Sequence, residues 1–127
     1  MQEVKLYEYA VIRLVPKPER EEFINVGLVL FSKREKYIKV KTYLCSDRMK
    51  CFVCETEFDI IEKHLTSFEN VAKGGKDSGP IAQLEIPERF RWLTAVRSSI
   101  IQTSRPHPGQ AKDLDLAFDR LFEDLVM

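Results

Sequence analysis

A chain of 127 residues, 44% apolar and 31% charged, has the balance of a globular protein with one core, which excludes disordered and collagen-like classes. Twenty basic against twenty acidic residues give a formal charge of zero, so bulk attraction to nucleic acid or membrane is not expected. No apolar run reaches the roughly eighteen residues of a membrane span. The start, Met1 to Leu6, lacks a signal peptide's basic and apolar regions, and three cysteines need no disulfide framework; a cytoplasmic protein is expected.

Leu6 to Val15 is rich in β-branched and aromatic residues and predicts a strand, with Leu6, Ala10, Ile12 and Leu14 on one face and Tyr7, Tyr9, Val11, Arg13 and Val15 on the other. Pro16 and Pro18 stop it, and Glu19 to Glu22 reads as loop. Ile24 to Phe31 is apolar on both faces, the mark of a central strand, and Gly27 inside it signals a bulge or a close backbone approach. After a polar hairpin, Tyr37 to Leu44 alternates, with Ile38, Val40 and Leu44 inward and Lys39 and Lys41 toward water.

The texture then turns helical. Met49, Phe52 and Val53 suggest a short helix. Thr56 to Asp59 has the pattern of an N-cap, followed by Phe58, Ile61, Leu65, Phe68 and Val71 at helical spacing and by Gly74-Gly75 as a stop. Pro87 opens a short helix whose Phe90, Trp92 and Leu93 are expected in the core. Ser98 to Ser104 reads as a fourth strand, and Arg105 to Gly109, with two prolines and a glycine, as irregular. Leu114, Ala117, Phe118, Leu121, Phe122 and Leu125 make one face of a C-terminal helix. The expectation is a single α+β domain over 1–127, an antiparallel sheet of about four strands with two to three helices packed on it. Residues 6–44 form the sheet, 47–73 are helical, 74–86 loop, 87–110 mixed helix, strand and loop, and 113–126 the last helix.

Charge is segregated along the chain. Lys33 to Lys50 holds seven basic and two acidic residues, and Arg89 to Lys112 five basic residues and no acid. Glu55 to Asn70 and Asp113 to Met127 each hold five acids and one base. Arginine's planar fork suits carboxylate or phosphate, so Arg97, Ser98, Ser99, Gln102, Arg105 and His107 are a candidate anion site. Equally, the arginines could pair with the two acidic helices. Arg13 and Asn25 interrupt apolar strands and either fix register with local partners or line a pocket. Cys51 and Cys54, with His64 and Cys45, have the outline of a zinc site, but Phe52 and Val53 between the first two read as core, which makes the pair two positions on one buried helix face. No nucleophile elbow, phosphate loop or dinucleotide fingerprint is present, and no cofactor is read from the chain.

Tyr9-Ala-Val-Ile-Arg13, Glu21 to Gly27 with Leu30-Phe31, Arg89-Phe-Arg-Trp-Leu-Thr-Ala95, Arg97-Ser98, Ile101-Gln102, His107-Pro-Gly109 and Leu121-Phe122 together resemble a bacterial family catalogued as domain of unknown function three-zero-three-seven, nearly end to end. The resemblance implies no activity. It implies at most a partner, a protein like the HipA-type serine/threonine kinases of toxin–antitoxin systems. Three functions are therefore expected in order: a non-enzymatic interaction module for such a partner; a phosphate- or nucleic-acid-binding protein or hydrolase-associated factor using Arg97, Arg105 and His107; and a homo-oligomer built on an edge strand or on the Leu114–Leu125 face.

Overall fold

The structure is a computed structural model that describes residues 3–49, 58–96 and 99–127. Its elements run β1 (Lys5–Leu14), β2 (Ile24–Ser32), β3 (Tyr37–Thr42), α1 (Ser46–Met49), α2 (Phe58–Lys73), α3 (Ile86–Leu93), β4 (Ile101–Thr103), β5 (His107–Ala111) and α4 (Leu114–Leu125), with short 3-10 turns at Pro18–Arg20 and Ile81–Gln83. The strands form one antiparallel sheet in the order β3-β2-β1-β4, and β5 pairs with the other half of the β1 edge that β4 occupies.

The α+β architecture follows from the two-sided apolar pattern of the central strands. Ala10, Ile12 and Leu14 of β1 and Val29 and Phe31 of β2 face α2 and α3, where Ile61, Leu65, Phe68, Phe90 and Leu93 cover them. Val11, Leu28 and Leu30 face the other way and meet Leu114, Phe118 and Phe122 of α4. Phe118 is wholly buried there; removing such a side chain from water contributes roughly 1.5–3 kcal/mol. The Leu114–Leu125 face is therefore packed against the sheet within the chain.

Gly27 marks both things it signals. Ile12 pairs with Gly27 but Arg13 pairs with Asn25, so Val26 is an extra residue in β2. A side chain at Gly27 would bring a Cβ within 2.9 Å of the Lys41 carbonyl and 3.1 Å of Ile12. The bulge also flips the phase of the strand: Val29 and Phe31, then Val26 and Ile24, stay on the α2 side, and Asn25 turns to the α4 side.

Five expectations need correction. Residues 107–111 form a strand despite Pro108, because β5 lies at an edge, where a proline nitrogen turned outward breaks no ladder bond. Trp92 is 36% exposed and packs against Phe68 at 6.0 Å, whereas Phe90 and Leu93 are buried. Lys39 and Lys41 do not simply face water; their ammonium groups lie 4.7 and 4.6 Å from the Phe118 and Phe122 ring centroids. Glu19 and Arg20 lie in a 3-10 turn, and the expected loop 74–86 holds another over Ile81–Gln83. Among the described residues, Arg89 pairs with no carboxylate of the acidic helices. Its guanidinium instead donates to the Val71, Ala72 and Leu84 carbonyls at 2.9–3.0 Å, closing the C-terminus of α2. Gly74 there adopts φ +69°, and Arg89 fills the space a Cβ would take.

Candidate functional site

On the α4 side of the sheet, one row crosses three strands. Arg13 in β1 stands opposite Asn25 in β2 and opposite Gln102 in β4. Direct cross-strand partners bring their Cβ atoms within about 5.5 Å, so the row sets a guanidinium between two carboxamides.

Each amide is oriented by a backbone carbonyl. Asn25 Nδ2 donates to the Leu125 carbonyl at 2.9 Å, and Gln102 Nε2 donates to the Ser99 carbonyl at 2.8 Å. Only the nitrogen of an amide can donate, so each oxygen is left as an acceptor. Asn25 Oδ1 is buried and without a hydrogen-bond partner, and so is Arg13 Nε. One face of the Arg13 guanidinium is covered by Phe23, whose ring centroid lies 4.1 Å from Cζ and which is itself 43% exposed on the segment before β2. Among the described residues, no carboxylate pairs with Arg13. The last turn of α4 borders the row, held by Asn25 and by Arg48, which donates to the Val126 carbonyl.

The remaining candidates separate. His107 pairs with Tyr9, their rings 5.3 Å apart. Tyr9 lies four positions from Arg13 along β1, roughly 13 Å at strand rise, too far for one small anion to span. Tyr7 beyond it lies 6.3 Å from Tyr9, and its ring sits where a Cβ on Gly109 would be. Burial and the neighbouring Tyr9 hold the Tyr7 phenol above its usual range. Arg105 is exposed in the link between β4 and β5. Within that link the Ser104 hydroxyl accepts from the Val11 amide at 2.9 Å, standing in for a strand carbonyl. Arg97 and Ser98 lie outside the described residues, as do Cys51 and Cys54. His64 is exposed on α2, away from the Ile61–Leu65 stripe. Cys45 is half-buried, and the amide of Arg48 lowers its thiol pKa. Among the described residues, no group of three or more His, Cys, Asp or Glu could hold a metal ion.

Phe23 escaped the sequence reading; an isolated aromatic between an acidic run and a strand was its only signal. A separate cleft of about 680 Å³ lies at the far end of β1, between Val4, Leu6, Phe31, Lys33 and Pro108. Its charged rim is balanced, with Lys5, Lys33 and Arg34 against Glu3, Glu8 and Glu35, so it favours no ligand charge.

The sequence profile of a family described as "Protein of unknown function (DUF3037)" matches residues 9–126. The chain belongs to that family. The match spans the whole Gln102–Arg13–Asn25 row, α4 and both bordering strands. No curated protein and no solved structure matches the chain. No helix among the described residues is long and apolar enough to cross a membrane.

Proposed function

We propose that this protein is a binding module rather than an enzyme, and that it holds an anionic group of a protein partner at the Gln102–Arg13–Asn25 row. The observation that carries the reading is the pairing of Arg13 with Asn25, each keeping one buried polar atom without a partner. A polar group left unpaired in a protein interior costs about 1–3 kcal/mol. A residue that only fixed strand register would be expected to complete its bonds locally. Strain of this kind, kept beside a cation, is what a site awaiting an acceptor looks like.

The chemistry of the row favours binding over turnover. A guanidinium stays charged throughout the physiological range and a carboxamide stays neutral, so neither exchanges protons with a substrate near pH 7. Such groups orient and neutralise. The first partner to test is a kinase-like protein of the HipA type, the one suggested by the family resemblance.

The test is calorimetric titration of the purified protein with such a kinase-like protein, at 50 and 300 mM salt, for wild type and Arg13→Met. Micromolar binding that weakens at least tenfold in the variant, and weakens with salt, supports the reading. Absence of binding, or binding indifferent to Arg13→Met in a variant that retains its circular dichroism spectrum, counts against it.

A further inference from the structure

Resting on that reading of the row as an anion site, we infer that its ligand is an oxyanion that carries its own hydrogen, of the hydrogen-phosphate class, in preference to a fully deprotonated oxyanion such as sulfate. The order of groups across the sheet gives the reason. The cation stands between two carboxamides, those of Gln102 and Asn25, and the Asn25 oxygen is buried and unbonded.

The Ser99 and Leu125 carbonyls each take one N–H of these amides, which fixes how the amides are turned. In that setting Asn25 Oδ1 is left as a buried acceptor with no donor. Acceptors beside an oxyanion repel its lone pairs unless a proton lies between. A cation beside an unbonded acceptor has as its complement an anionic oxygen flanked by a donor. Hydrogen phosphate supplies both at neutral pH; sulfate has the charge and the shape but no proton.

Arg13 Nε and Asn25 Oδ1 are one unpaired donor and one unpaired acceptor in a single row, which matches this complement atom for atom. Both are shut from solvent, and the exposed Phe23 ring covers the guanidinium between them and the outside. Admission of the anion requires that ring to move aside, and the segment that carries it lies on the surface.

The experiment is a titration of the full chain, ¹⁵N-labelled, at pH 7 and matched ionic strength, with inorganic phosphate, with sulfate and with a phosphoserine peptide. The side-chain resonances of Arg13 Nε, Asn25 and Gln102 are the readout. The expected result is millimolar phosphate binding that shifts all three, with sulfate at least fivefold weaker. Asn25→Leu, which removes the unbonded acceptor, should narrow that ratio at least threefold in a variant that keeps its circular dichroism spectrum. The phosphoryl group of the peptide is mostly dianionic and without a proton at pH 7, so the peptide should bind more weakly than inorganic phosphate; equal or tighter binding overturns the inference. Equal binding of phosphate and sulfate, or no shift at the three side chains, overturns it. Capture of a kinase-like protein that depends on Arg13, with no preference for phosphate, would overturn this inference alone and leave the binding-module reading standing.

Discussion

Arg13 stands opposite Asn25 because one extra residue, Val26, is bulged into β2. Without the bulge an apolar valine would face the arginine. The pair thus depends on a local departure from ladder geometry, and although Asn25 ties down the end of α4, each member keeps a buried atom unbonded.

That relationship makes a stability prediction opposite in sign to the usual one for a half-buried arginine. Arg13→Met keeps the length and apolar volume of the side chain and removes the unpaired Nε. Its unfolding free energy in urea should lie within about 1 kcal/mol of wild type, or above it. A loss of 3 kcal/mol or more would show that Arg13 is structural.

Arg89 should behave in the reverse way. It serves three backbone carbonyls, two of them orphan acceptors at the end of α2. Arg89→Ala is expected to cost about 2–3 kcal/mol in urea denaturation. Arg89→Lys should recover only a minor part of this, because a single ammonium cannot fork to both helix carbonyls and reach Leu84 as well.

Gly109→Ala drives a methyl into the Tyr7 ring. Forcing an extra carbon into a filled contact costs about 1–3 kcal/mol. Combining it with Tyr7→Ala should cost less than the two single changes added, and a double-mutant cycle reads that coupling. Strict additivity would mean that the ring does not sit over the glycine in solution.

The alkaline limb of stability should report on Tyr37. Its phenol is pushed well above the ordinary 10.0, first by burial and then by its hydrogen bond to Asp115. A raised pKa means that the folded state favours the protonated form. The associated stability is complete below pH 10, where the unfolded chain is also protonated, and is lost as pH rises toward the folded value. Urea midpoints of wild type should fall between pH 10 and 11. Those of Tyr37→Phe should start lower at pH 7, having lost the Asp115 bond, and fall less steeply. Parallel curves would exclude Tyr37 as the titrating group.

What the sequence discloses, and what it hides, follows the range of the interactions. The faces of β1 and the stripe Ile61, Leu65, Phe68 are legible because one period per element decides them. Gly27 announces the bulge because a missing side chain is itself a signal. Arg89 is hidden: its partners lie five to eighteen residues away and are backbone atoms, which leave no mark in composition. β5 is hidden because Pro108 excludes a central strand but not an edge one, and edge or centre is a property of the assembled sheet. Of the candidate site, Arg13 and Asn25 stood out as polar breaks in apolar strands. Their meeting did not, since ordinary register would have separated them. Trp92 is partly exposed because α3, only eight residues long, buries Phe90 and Leu93 and turns Trp92 to its outer side.

The Ser104 hydroxyl that completes the Val11 amide belongs to a residue 93 positions further along the chain. Until residues 101–111 dock, β1 can pair with β2 while its other edge has no partner in the sheet. A strand rich in aromatic and β-branched residues then presents one row of amides and carbonyls for pairing with another chain. Contacts of such long separation also slow folding. Docking of residues 101–111 therefore closes a strand edge that would otherwise invite pairing with another chain.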